Sequence, residues 1–99
     1  MSRPAFQLGH PAPDTLAVSG ALTFATASDV LSTARAELDR GRQVSLDLSG
    51  VGQADSAGLA TVLALLAHAR GEGRALSVAN APAGLQALAR VSGVESLLS

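Results

Sequence analysis

Apolar and polar positions change rhythm along this chain, and the changes mark its elements. Val44, Leu46 and Leu48 interleave with Ser45, Asp47 and Ser49, the two-residue period of a strand. Gly50, Gly52 and Gln53 interrupt that period and predict a loop. From Ser56 the spacing becomes helical: Leu59, Val62, Leu63 and Leu66 fall at i, i+3, i+4 and i+7. Arg70 suits the carboxyl end of that helix, and Gly71 a position just past it.

The flanks follow the same logic. Residues 5–8 (Phe6 and Leu8 on one face) and 15–19 (Leu16 and Val18) read as short strands. A proline-containing turn over 9–14 joins them into a hairpin. Residues 21–25 are expected to be irregular, with Leu22 and Phe24 turned inward. Thr26 with Asp29 resembles a capping box, and opens a helix to about Arg40. Its buried stripe is Ala27, Val30, Leu31, Ala34 and Leu38, and Gly41 closes it. Residues 75–79 form a fourth strand, so residues 44–79 make a βαβ unit with parallel strands. Asn80 can cap a third helix that has Pro82 near its first turn and Leu85, Leu88 and Ala89 on its buried face. Residues 94–98 add one more turn. The expected class is α/β: a four-stranded mixed sheet with an N-terminal hairpin and a parallel βαβ unit, covered by three to four helices. Residues 1–99 are expected to be a single domain.

The central helix is apolar on more than one face. Ala57, Ala60, Ala64 and Ala67 lie beside the leucine stripe and Leu65 on its other flank; only Thr61 and His68 clearly break the apolar circumference. A helix apolar nearly all round is usually buried, and a chain this short cannot easily bury one on every side. Two readings stay open: part of the helix meets another protein, or alanine is present simply as a strong helix former.

Composition narrows the function. The 99 residues carry a net charge of −1, two phenylalanines as the only aromatic residues, and no cysteine. That excludes a basic nucleic-acid footprint, a platform of stacked rings, disulfides and thiolate metal sites. The longest apolar run, residues 62–67, is far short of the roughly 20 residues of a membrane span. No signal peptide is recognisable, and a soluble cytoplasmic location is expected.

Asp47, Asp55 and Ser56 are the polar side chains expected to gather where the third strand ends, the usual position of ligand crevices in open α/β sheets. A phosphate on Ser56 would meet free N–H groups at the helix start. Gly58 leaves room for a close backbone approach. The plainer role for Asp55 or Ser56 is capping the helix. Catalysis is not expected. Ser56 lacks the preceding glycine of a G-x-S-x-G elbow, and His68 lies about three helical turns away. His10 sits in the N-terminal turn. Two carboxylates, Asp47 and Asp55, are too few to specify a metal, so neither a metal nor a cofactor is expected.

The run Leu46-Asp47-Leu48-Ser49-Gly50-Val51, followed by Asp55-Ser56-Ala57-Gly58-Leu59-Ala60, resembles the STAS domain shared by sulfate transporters and anti-sigma factor antagonists. The likeness extends from about Thr15 to Leu98. Ser19-Gly20-Ala21-Leu22-Thr23-Phe24 is similar to the corresponding segment of the MlaB type, whereas anti-sigma factor antagonists more typically carry Gly-Glu-Leu-Asp there. The MlaB resemblance implies a non-enzymatic accessory subunit at the cytoplasmic side of the inner membrane, without membrane insertion. It would bind an ABC transporter's MlaF-like ATPase subunit, and through it the permease, in phospholipid trafficking that maintains outer-membrane asymmetry.

The resemblance matches Ser56 to a functionally important Ser/Thr. Together with the over-apolar helix it makes Asp55, Ser56, Ala57, Gly58, Thr61, Leu65 and His68 the expected partner surface. In the alternative, an anti-sigma factor antagonist, Ser56 is the phosphoacceptor. A small-molecule sensor using the strand-end crevice and a weak homodimer through the central helix also stay open.

Overall fold

The computed structural model describes residues 5–98. Strands β1 (Phe6–Ala12) and β2 (Thr15–Leu22) form the antiparallel hairpin, and β3 (Ser45–Ala54) and β4 (Ser77–Ala79) complete a sheet of order β1-β2-β3-β4. Helix α1 (Ala27–Arg40) connects β2 to β3, and α2 (Ser56–Gly71) connects β3 to β4; both pairs of strands are parallel. Helix α3 (Ala83–Val91) and a 3-10 turn (Glu95–Leu98) end the described chain. The mixed α/β sheet with its hairpin and βαβ unit is the architecture the sequence pattern predicts.

Alternation explains which sheet face is filled. Leu16, Val18 and Leu22 of β2 and Leu46 and Leu48 of β3 are buried. Thr15, Ala17, Ser19, Ser45 and Asp47, between them, are only partly covered. The buried residues join Val30, Ala34 and Leu38 of α1, Leu59, Val62 and Leu65 of α2, and Leu85 and Ala89 of α3 in one apolar cluster. A leucine in such a cluster contributes about 1.5–3 kcal/mol by leaving water.

Several local expectations are corrected. β1 runs through His10 to Ala12, so His10 is an exposed strand residue, 3.6 Å from Glu37, and not part of a turn. β2 continues through Leu22, where an irregular segment was expected, and Phe24 is 85% exposed, not turned inward. The chain reverses between Leu22 and α1: Thr26 N donates to Thr23 O, while the Thr26 hydroxyl accepts from Thr23 N and donates to Ala21 O. That hydroxyl is committed to the turn and no capping box forms. Phe24 is left at the tip. Gly41 ends α1 in an extended conformation. Asn80 does not cap α3. It adopts a left-handed conformation (φ 57°) and Pro82 occupies the cap position.

The largest departure is β3, which passes straight through the predicted loop to Ala54. Gly50 belongs there because β2 comes close: a Cβ would lie 2.7 Å from Ser19 Cβ. The β2–β3 register shifts on either side of this contact, between Ala17 and Ser19 and again between Gly20 and Ala21. The glycines that look like strand breakers are therefore fitted to an irregular parallel pair.

Gly58, in the first turn of α2, has a stricter requirement. A Cβ there would stand 2.8 Å from the Leu22 carbonyl carbon and closer still to its oxygen. Backbone, not a flexible side chain, occupies the space. Gly58→Ala should therefore lower stability by about 1–3 kcal/mol. Gly84→Ala, in α3 where nothing lies within 4 Å of the added carbon, should raise it by about 0.4–1 kcal/mol. Urea denaturation of the two variants checks the opposite signs.

Candidate functional site

Asp55 is the N-cap of α2, and its carboxylate joins two elements. Oδ1 accepts from the Gly58 amide at 3.0 Å, and Oδ2 from the Phe24 amide at 3.0 Å. The Asp55 amide in turn donates to Leu22 O at 3.3 Å. The helix start is thus tied to the end of β2 and to the turn that carries Phe24. These bonds favour the ionised form: the Phe24 amide first, then that of Gly58, hold the Asp55 carboxyl below its usual value.

Ser56, the first residue of α2, is exposed. The nearby amide of Gly58 is already taken by Asp55, so fewer helix-start donors remain for a phosphate than the sequence suggested. Ala57 is half-buried beside it, and Gly58 is buried against Leu22. The close approach anticipated at Gly58 is made by the chain's own backbone.

Asp47 does not gather with this corner. It lies within β3, paired with Ala17 and Ala79, and Ala54 is seven positions further along the strand, on the order of 20 Å. Its Oδ1 accepts from Ser49 N at 2.9 Å and from Asn80 Nδ2 at 3.1 Å. The Ser49 amide, followed by the Asn80 side chain, lowers its carboxyl below the usual value. The sequence expectation failed because the strand runs beyond Ser49.

The expected docking stripe also needs correction. Thr61 and Leu65 are 5% and 1% exposed and offer almost no surface. The Thr61 hydroxyl donates to Ala57 O within its own helix. His68 lies on the same flank and reaches across to α1, its Nε2 at 2.7 Å from Asp39 Oδ1. Residues 61, 65 and 68 follow helical spacing, so this flank is the one packed inward. The outward side is Ser56, Ala60, Ala67 and Arg70, all exposed, with half-buried Leu63 and Ala64 between. No charge occurs on it before Arg70.

This outward side runs into an apolar groove of about 550 Å³ lined by Leu63, Leu66, Ala67, Arg70, Leu76 and Leu97, among others. At the sheet end, a cavity of about 500 Å³ is lined by Thr23, Val51, Gly52, Gln53, Ala54, Pro82, Gly84 and Leu85. That is the crevice expected beyond the strand ends, but among the described residues it has no charged lining side chain to bind a phosphate.

Two residues carry contacts that sequence reasoning did not single out. Arg74 donates to Gly41 O at 2.9 Å and to Leu38 O, satisfying carbonyls at the end of α1. Asp39 receives His68. Both depend on which helices are neighbours, and no local spacing reveals that. Phe24, which its hydrophobicity alone assigns to the interior, is exposed.

Residues 7–99 match the family model described as "Mlab, STAS domain", and the chain belongs to that STAS family. Among solved structures, the fold is similar to the anti-sigma factor antagonist SpoIIAA in its unphosphorylated form. The TM-score is 0.74 at 16% identity, covering 96% of this chain and 86% of that one. It is also similar to the Bacillus cell fate determinant SpoIIAA in the phosphorylated form, with a TM-score of 0.69 at 16% identity over 96% and 89% of the two chains. No curated protein sequence matches the chain. Among the described residues, no helix is long and apolar enough to cross a membrane.

The two lowered carboxyls set an acid limb of stability. Their folded-state values lie below the unfolded one of 3.8, so their contribution is present above that value and is lost as pH falls through the folded-state values. Thermal melts should change little with pH just above 4 and drop below it. Asp55→Ala should melt lower at neutral pH and show a shallower acid limb than the parent chain.

Proposed function

We propose that this chain is a non-enzymatic STAS subunit of an ABC transporter for phospholipids, working on the cytoplasmic side of the inner membrane. It binds the ATPase subunit, supports its assembly and activity, and contacts the permease through it. The observation that carries this reading is the outward side of α2. Exposed Ser56 heads a strip of alanines and a half-buried leucine that bears no charge for nearly four turns. Small side chains let a partner helix approach closely, and a few well-packed contacts dominate such interfaces. The family description, which names Mlab, supports the choice of partner.

The docking surface of this proposal is Asp55, Ser56 and Ala57 with Ala60, Leu63, Ala64 and Ala67. Thr61, Leu65 and His68 support it from within. Phe24, held beside Ser56 by the Asp55 carboxylate, extends it past the helix start.

A second reading is an anti-sigma factor antagonist phosphorylated on Ser56. The exposed hydroxyl at the head of α2 and the likeness of the fold to SpoIIAA favour it. Against it stands the segment Gly20-Ala21-Leu22-Thr23, where anti-sigma factor antagonists more typically carry Gly-Glu-Leu-Asp.

Co-expression with the ATPase and permease subunits of a phospholipid ABC transporter from the same organism tests the first reading. The complex should co-purify, and its ATPase rate should fall when the subunit is omitted. Ala60→Asp should weaken co-purification at least about ten-fold, the equivalent of roughly 1.4 kcal/mol, while leaving the melting temperature of the free chain within a few degrees. An ATPase rate indifferent to the subunit rejects this reading. Uptake of one phosphate from an anti-sigma kinase, abolished by Ser56→Ala, selects the second.

A further inference from the structure

At the opposite end of α2 from Ser56, three side chains converge that the docking reading does not use. His68 and Glu72 are one helical turn apart near the C-terminus of α2, and Asp39 faces them from the last turn of α1. A ring nitrogen of His68 and one carboxylate oxygen each from Asp39 and Glu72 lie within 4.8 Å of one another. The His68 side chain is only 15% exposed, so its ring is held in place, whereas both carboxylates reach solvent. Beside them opens a cavity of about 270 Å³ lined by Leu38, Asp39, Gly41, Glu72 and Arg74.

Two carboxylates brought this close repel each other unless a cation lies between them. Arg74 is the neighbouring fixed cation, but its guanidinium is turned to the carbonyls of Leu38 and Gly41. The Glu72 carboxylate has no ion-pair partner among the described residues. The His68 imidazole lies beside both carboxylates, with a ring nitrogen placed to act as a ligand.

We propose that Asp39, His68 and Glu72 form a binding site for a divalent transition-metal ion of the zinc class, pinning the end of α1 to the end of α2. Metal–ligand bonds of about 2.0–2.2 Å place the donors of one ion about 3–4 Å apart. Small rotations of the two exposed carboxylates reach that spacing. One imidazole with two carboxylates suits Zn²⁺, Co²⁺ or Ni²⁺ better than Ca²⁺ or Mg²⁺, which prefer oxygen throughout. Three protein ligands leave the remaining positions to water. The ion takes the place of the 2.7 Å hydrogen bond between His68 and Asp39. The site is about 18 Å along the helix from Ser56, so it does not depend on the docking surface.

The test is titration of the purified full chain with ZnCl₂, followed by calorimetry and thermal melting. Wild type should bind one equivalent, gain several degrees in melting temperature and lose the gain with EDTA. Glu72→Gln, which removes a carboxylate not needed for the fold, should melt like wild type without metal and bind Zn²⁺ about ten-fold or more weakly. Asp39→Asn should weaken binding similarly. His10→Gln removes the only other histidine and should bind as wild type. With Co²⁺ the wild-type chain should develop visible d–d absorption that Glu72→Gln lacks. Absence of saturable Zn²⁺ binding overturns the proposal. Binding that survives in Glu72→Gln and Asp39→Asn, or disappears in His10→Gln, places the ion elsewhere and overturns it equally.

Discussion

Everything near the serine corner depends on how closely α2 begins against the end of β2. Gly58 sits where any side chain would enter the Leu22 backbone, and the Asp55 amide donates to the same Leu22 carbonyl. The Asp55 carboxylate then spans the gap, holding the Gly58 amide on one side and the Phe24 amide on the other. An anion with two good donors is a stronger link than a neutral cap. Ser56 is displayed because its neighbours on both sides are fixed. Its exposure follows from Asp55 and Gly58 and not from any property of serine.

Helices were legible where their period was clean. The end of α1 at Arg40 and the start of α2 at Ser56 coincide with those read from apolar spacing and end signals, and α2 runs one residue further than read, through Gly71. Strand limits were less legible. Gly50 and Gly52 carry the usual marks of a loop, but the first accommodates Ser19 of an adjoining strand and both lie inside β3. That contact is long-range, so no window of sequence contains it. The misplacement of Asp47 followed directly. Phe24 was misread for a related reason: burial was inferred from hydrophobicity, while the Thr26 hydroxyl and the Asp55 carboxylate shape the turn that turns the ring outward.

The candidate site divides in the same way. Asp55, Ser56 and Gly58 announced themselves as a compact motif, and their local roles at the helix start were readable. Which side of α2 faces outward was not. The helix is apolar almost all round, so its period carries little directional information. Direction is set by what α1 presents. Leu59, Val62 and Leu65 of α2 enter the core cluster, and Thr61 and His68 lie along the same inward flank, where His68 meets Asp39. Alanine, read equally well as helix former or as contact surface, ends on the outside. The same inter-helix geometry brings Glu72 towards Asp39 and supplies Arg74 to the α1 carbonyls, relations that exist only once the helices are paired.

The margins of the sheet limit how this molecule can assemble with others. At one margin the β1 ladder is broken by an irregularity between Gly9 and Ala12, and Pro11 within it has no N–H to offer. At the other, β4 is three residues long. A visiting strand would find few consecutive donors and acceptors on either border. Growth by adding strands, the common route from small β-containing folds to fibres, is thereby discouraged.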